Sequence, residues 1–192
     1  AGVFTAISTM ATREKLRDGT LLRMAELASR CGAQEFRILE PVPTGRCARE
    51  DGAILTAEES AQLTRLHKRW NRRGRPPAIA AFSHLESDAL FGCGAGYHHL
   101  FIDAVGNVCP CDLTPLAFGN VCEESLYDIW VRMGEWFPVP RCGCLIRQLH
   151  ETSDVFQTAD TFPLCRPDSE AICRQHIAET PLPAVFANLF RD

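Results

Sequence analysis

The sequence predicts a mixed α/β chain: parallel strand–helix–strand units first, then a small cysteine-rich α+β domain carrying a β-hairpin. Three observations lead there. Short apolar, β-branched stretches at 3–8, 36–40 and 79–82 alternate with segments of helical periodicity, which is the order of βαβ units in a parallel sheet. The stretch from Phe91 to Cys111 reads as a hairpin, and prolines and cysteines are dense in the residues after it. Of ten cysteines only Cys31 and Cys47 precede position 93. These changes place a domain boundary near Ser87, giving domains 1–86 and 87–192.

In the first domain, Val3 to Ser8 predicts a buried strand. Thr12 to Arg17 opens a helical region interrupted near Asp18-Gly19. Leu21, Leu22, Ala25 and Ala28 then recur at helical spacing, and Gly32 suits a left-handed C-cap. Cys31, at that helix end, is expected in the core. Phe36 to Glu40 is a second strand, stopped by Pro41 and Pro43. Thr56-Ala57-Glu58-Glu59 matches the capping box, with Leu55 placed as a hydrophobic staple. This helix is expected to run to about Arg73 with Leu63, Leu66 and Trp70 on one face. Ile79 to Phe82 is the third strand.

In the second domain, Tyr97 to Ile102 mixes aromatic and β-branched residues as strands do. Val105-Gly106-Asn107 supplies a turn that tolerates positive φ. Leu126, Ile129, Trp130 and Met133 share one helical face, with Glu123 and Glu124 at the end where the dipole favours anions. Cys142-Gly143-Cys144 reads as a proline-flanked loop. Asp168 or Ser169 is a candidate cap for a last helix to about Ile177, and Pro181 to Asp192 is an apolar tail expected to pack on the body.

Composition narrows the function classes. The 192 residues suffice for a buried core, 46% are hydrophobic and 23% charged, and the net charge is -4. No nucleic-acid partner is called for: the basic cluster of Lys68, Arg69, Arg72, Arg73 and Arg75 sits where cations favour a helix C-terminus. No apolar run reaches membrane-span length and no signal-peptide layout opens the chain, so a cytoplasmic protein without membrane attachment is expected. A disulfide framework belongs to smaller secreted chains. Metal or cluster ligation is therefore the leading role for the thiols.

The hairpin brings Cys93, before its first strand, to Cys109 and Cys111, at the end of its second. With Cys142 and Cys144, four thiolates suffice for one closed site. Alternation along the strand points Cys109 the same way as Cys111, so Cys109 could replace it or be a spare thiol. The same four sulfurs could hold zinc in a structural module that binds a partner without catalysis. His98 and His99 flank the hairpin and are expected to pack across it rather than ligate.

Cys93-x12-Gly106-x4-Cys111, followed by Phe118-Gly119-Asn120-Val121 and Glu124-Ser125-Leu126-x3-Trp130, resembles the opening of a SPASM or Twitch auxiliary-cluster domain. Those domains extend radical SAM enzymes at their C-terminal end and bind one or two auxiliary 4Fe-4S clusters. Val3 to Ser8, the helix after it, and Phe36 to Arg46 resemble the last strand–helix units of the radical SAM partial (β/α) barrel. The resemblance covers about residues 1–133. It implies an oxidoreductase that cleaves S-adenosylmethionine at a second 4Fe-4S cluster to form a 5′-deoxyadenosyl radical, acting on a small-molecule or peptide substrate. Reactive groups gather at the C-terminal ends of barrel strands, which makes Ser8, Thr9, Glu40, Thr44 and Arg46 candidate rim residues. Of these, Ser8, Glu40, Thr44 and Arg46 are the candidate cofactor or substrate contacts, Arg46 being suited to a carboxylate.

Two departures shape the expectation. CxxxCxxC, which holds the catalytic cluster in that family, is absent, which leaves two alternatives: a protein that has lost its radical chemistry, or, the favoured expectation, the C-terminal part of an enzyme, inactive without the N-terminal half-barrel. The full SPASM pattern continues as CxxC-x5-C-x3-C, whereas only Cys142-x-Cys144 stands here. That implies a Twitch-like arrangement with one auxiliary cluster, leaving Cys165 and Cys173 outside it.

Overall fold

A computed structural model describes residues 2–48, 50, 52–159 and 161–190. The chain divides into two compact units, Ala1–Pro41 with Glu50–Glu86, and Val42–Arg49 with Ser87–Asp192. The segment Val42–Arg49, which the sequence assigns to the first domain, thus belongs with the second.

The first unit runs β1 (Ala6–Met10), α1 (Arg13–Arg17), α2 (Thr20–Arg30), β2 (Glu35–Leu39), α3 (Ala57–Asn71), β3 (Ala78–Ala81) and α4 (Phe82–Leu85). The strands form an open, parallel three-stranded sheet in the order β1-β2-β3. The register sets Thr9 opposite Ile38 and Ile38 opposite Ala81, so these side chains share one face. That face and Phe36 and Ile79 form a core with Leu21, Ala25 and Ala28 of α2 and with Leu63 and Trp70 of α3.

β1 is not the buried strand that Val3 to Ser8 suggests. It starts three residues later, lies at the sheet edge, and buries only Thr9, while Val3 and Phe4 stay exposed. Cys31 is likewise exposed, because α2 turns Leu21, Ala25 and Ala28 inward and leaves its C-terminal end at the surface. The α3 start behaves as expected. Thr56 Oγ1 accepts from the Glu59 N–H while Glu59 accepts from the Thr56 N–H, and Glu59 also takes Arg13 at 2.6 Å. Asn71 closes the helix against β3, its amide accepting from and donating to the Ile79 backbone at 2.8 Å.

The second unit holds a 3₁₀ turn (Gly45–Ala48), the hairpin β4 (Phe101–Ile102) and β5 (Val108–Cys109), and the helices α5 (Leu126–Gly134), α6 (Leu145–Thr152), α7 (Val155–Thr158), α8 (Arg166–His176) and α9 (Ala184–Leu189). Val108, Leu116, Phe118, Ile129, Met133 and Leu145 are among its fully buried residues. The first hairpin strand is two residues long, not six. Tyr97 and His98 both donate their N–H to the Gly94 carbonyl, and Gly96 donates toward His99 and Pro110, so 94–99 is spent on a turn. Asp103 organises the hairpin loop by accepting from the Val105 and Asn107 amides at 2.9 Å. Gly106 sits there at φ +94, and a Cβ on it would lie 2.5 Å from Asn120 Oδ1.

The Phe118-Gly119-Asn120 segment pairs with Val108 as a further extended stretch, with bonds of 2.9 Å in each direction. Arg132 of α5 fixes it, donating to the Phe118 carbonyl while paired with Glu124. Glu124 thus acts as an ion-pair partner rather than only a dipole charge, and Ser125 caps α5. Ile129 and Met133 are buried as expected, whereas Leu126 is exposed. Among the described residues no helix is long and apolar enough to cross a membrane.

Candidate metal centre

Three segments of the second unit deliver thiols to one neighbourhood. Cys93 is held by paired backbone bonds with Arg141, 2.8 Å from its N–H and 3.0 Å to its carbonyl. Cys111 follows β5 and bridges to Thr114. Cys144 is the N-cap of α6. Burial pushes the Cys144 thiol up to about 11, with Cys93 and then Cys111 adding to the rise and the Arg147 and Ile146 amides opposing it. Burial also raises Cys111, against its hydrogen bonds with the Thr114 hydroxyl and the Leu113 amide, while Cys93 adds to it. Each of these sulfurs therefore lies within electrostatic reach of the other two.

Both raised thiols have donors waiting for a thiolate. The Cys111 thiol donates to Thr114 Oγ1 at 3.2 Å; once Cys111 is deprotonated, that hydroxyl can turn and donate instead. Thr114 is 1% exposed, so its hydroxyl is held at the sulfur rather than in water. At Cys144 the first-turn amides of α6, which have no partner within the helix, point at the sulfur. Partly buried thiols that lie within electrostatic reach of one another and are served by donors fit thiolate ligation of an iron-sulfur centre. Among the described residues no three His, Cys, Asp or Glu side chains are placed to hold one metal ion.

The remaining predicted ligands are placed differently. Cys142 donates its thiol to Asp88 and is raised by burial and that carboxylate; its N–H reaches Thr180 Oγ1 at 3.2 Å. Cys109 is buried and pushed up to about 12 by burial, then by Asp103 and Cys111. It is thus a neighbour of Cys111, on the Asp103 side of the hairpin. His98 packs its ring against Gly94 and stacks on Phe186 of α9. Cys165 is exposed at the start of α8 beside Asp168, and Cys173 is buried in the core. All ten cysteines are free thiols.

The four candidate cofactor contacts divide between the units. Ser8 is in the middle of β1, not at its C-terminal end, and is exposed; Glu40 directly follows β2. Thr44 and Arg46 belong to the second unit and line a cavity of about 370 Å³ with Pro115, Phe156 and Phe162. Sequence reasoning missed three contributors: Thr114, the α6 amides and Arg141. Thr114 could have been found from its place three residues after Cys111, and Arg141 from being the one basic residue between Pro140 and Cys142.

Residues 93–136 match the SPASM family, an iron-sulfur cluster-binding domain. The match begins on the cysteine that pairs with Arg141 and includes Cys111 but not Cys144. The chain is also 30% identical over 162 residues to an AdoMet-dependent heme synthase of Oleidesulfovibrio alaskensis (strain ATCC BAA-1058 / DSM 17464 / G20). That alignment takes in 71% of this chain and 40% of the relative, so the chain spans well under half the length of the curated relative it matches. No solved structure matches. Together the two matches support the resemblance that the motifs implied, to the C-terminal, SPASM-bearing portion of a radical SAM enzyme.

Proposed function

We propose that the second unit holds one auxiliary 4Fe-4S cluster on Cys93, Cys111 and Cys144, with Cys142 as fourth ligand once its thiol leaves Asp88. The observation that carries this is the convergence of three thiols from three separate segments, two of them provided with hydrogen-bond donors. Thiolates on one zinc ion lie about 3.8 Å apart, whereas a four-iron cluster spreads its ligands around a larger inorganic core. The match of residues 93–136 to an iron-sulfur cluster-binding family favours the second arrangement. Cys109 then stays a protonated neighbour.

In a radical SAM oxidoreductase, the class this reading assigns, such a cluster would accept an electron from a substrate radical or help to place the substrate. The name of the relative points to AdoMet-dependent heme synthesis as the specific activity. Ser8, Glu40, Thr44 and Arg46 are the candidate contacts to S-adenosylmethionine or substrate, with the catalytic cluster and the rest of the barrel supplied by an N-terminal half. Arg46 and Thr44 are supported by the cavity they line. Anaerobic reconstitution with iron and sulfide is the test. Brown protein with about four irons per chain is expected. Colourless protein, or stoichiometric zinc without charge-transfer absorption, would overturn the reading.

A further inference from the structure

Among the described residues Arg141 is a buried cation without an anion. It is 6% exposed, and among the described residues no carboxylate pairs with it. Its Nη2 donates to Gln148 Oε1 and to the Ala178 carbonyl, both neutral acceptors, and its buried Nε has no partner. A charge kept out of water this way is disfavoured unless an opposite charge arrives. Residues directly opposite in an antiparallel pair project their side chains to the same side. Arg141 and Cys93 are such a pair, joined by both backbone bonds, and Cys93 and Cys173 are the acidic groups within its electrostatic reach.

We propose that Arg141 is the built-in counter-charge of the thiolate-bound cluster, offsetting negative charge at Cys93 and favouring the one-electron-reduced form. This rests on the cluster reading above. The thiolates turn an unfavourable cation into a paired one, and the guanidinium makes their ionisation and the added electron less costly. Burial magnifies both effects, because a low local dielectric leaves the charges unscreened. Gln148, reaching Arg141 from α6 and the His176 carbonyl from α8, holds the guanidinium in position. Arg141 acts here through the cluster ligands, as a positioning and potential-setting residue.

The test compares wild type with R141M, R141K and Q148A, each reconstituted and titrated with dithionite and mediator dyes, the dithionite being oxidised as the cluster takes one electron. At the potential where wild type is half reduced, R141M should show at least a tenfold lower ratio of reduced to oxidised cluster by EPR, equivalent to 59 mV downward for one electron. R141K, which keeps the charge, should stay within threefold, as should Q148A. Without cluster, R141M should melt no lower than wild type, since it loses an unpaired buried charge. A role in structure alone predicts the reverse: a lower melting point for R141M without cluster and no separation of Met from Lys in potential.

Arg141 also lines a cavity of about 540 Å³ with Trp136 and Arg174. Stabilisation of cluster-free wild type by acetate, lost in R141M, would place the counter-charge in that cavity and overturn the assignment. A cluster-bearing R141M at the wild-type potential removes this assignment alone. Wild type that takes up no iron removes the cluster reading and this assignment together.

Discussion

A cysteine bound for a metal must give up its proton, and burial works against that step. Cys144 and Cys111 meet the difficulty differently. Cys144 lies at the start of α6, where two backbone amides serve the sulfur without any particular side chain. Cys111 relies on the Thr114 hydroxyl at 3.2 Å. Thr114→Val keeps the shape and removes the donor. Because groups that hydrogen-bond to ligands tune metal affinity, iron binding should fall about 10- to 100-fold, measured as chelator competition at fixed pH. Cys144→Ser should lose most of the iron outright, while Cys165→Ser, at an exposed position beside Asp168, should retain it. Equal iron content in Cys144→Ser and wild type would remove Cys144 from the ligand set. The spacing of Cys93 and Cys111 about a glycine turn was legible because those signals are local. The orientation of Cys142 was not: its thiol answers to Asp88, 54 positions upstream, and no local pattern encodes that partner.

At the scale of elements, α3 was the most legible helix. Its capping box is written in four consecutive residues, and the structure realises both bonds. Thr56→Ala should cost about 1 kcal/mol, read from a denaturant midpoint. Glu59 also carries a pH signature. Its carboxyl is held down from 4.5 to about 2, chiefly by Arg13 and then by the Thr56 amide, against burial. A folded-state value below the unfolded one means that this contribution is complete above about 4.5 and is lost as pH falls toward 2. Glu59→Gln should therefore flatten the stability profile across that window and change its shape little above it.

Less legible was α6. Its eight residues follow a cysteine, which is not among the residues that usually mark a helix start, so the usual start signal is missing. The strand expected over Tyr97 to Ile102 shortened for a related reason: residue preference there yields to the turn in which Gly94 accepts two amides. Gly92 is the more exacting glycine, at φ +61 with Pro183 and the Arg141 carbonyl, 2.5 Å away, filling the space of a Cβ. Gly92→Ala should cost about 1–3 kcal/mol and loosen the Cys93–Arg141 pairing, which hydrogen exchange at those two amides would report.

For the molecule as a whole, the decisive long-range feature is how the C-terminal tail returns to the thiol-bearing segments of the second unit. Ala184 donates to the Asp88 carbonyl and Val185 to the Leu90 carbonyl. Thr180 accepts from Cys142, and Phe186 packs on the Tyr97 and His98 rings. The apolar composition of 181–192 made packing on the body legible; its destination was not, because the partners lie about ninety positions earlier. Truncation after Thr180 removes Pro183 and Phe186 from these contacts, at an expected cost of about 2 kcal/mol or more.

The consequence for the metal centre comes through linkage. A group that binds only the folded state stabilises it by RT ln(1 + L/Kd), with L its free concentration, whatever the starting stability, so a truncated chain that keeps the site should gain the same factor of protection on loading as the full chain. Hydrogen exchange with and without reconstituted iron checks this. Peptides spanning 91–111 and 141–152 should gain protection on loading in both chains, and by a similar factor. Peptides from α3 and β3, whose core is separate, should not change. Equal protection of 57–81 on loading would mean that the two units respond to the centre as one, and loss of all iron from the truncated chain would mean that the tail is required to form the site rather than to steady it.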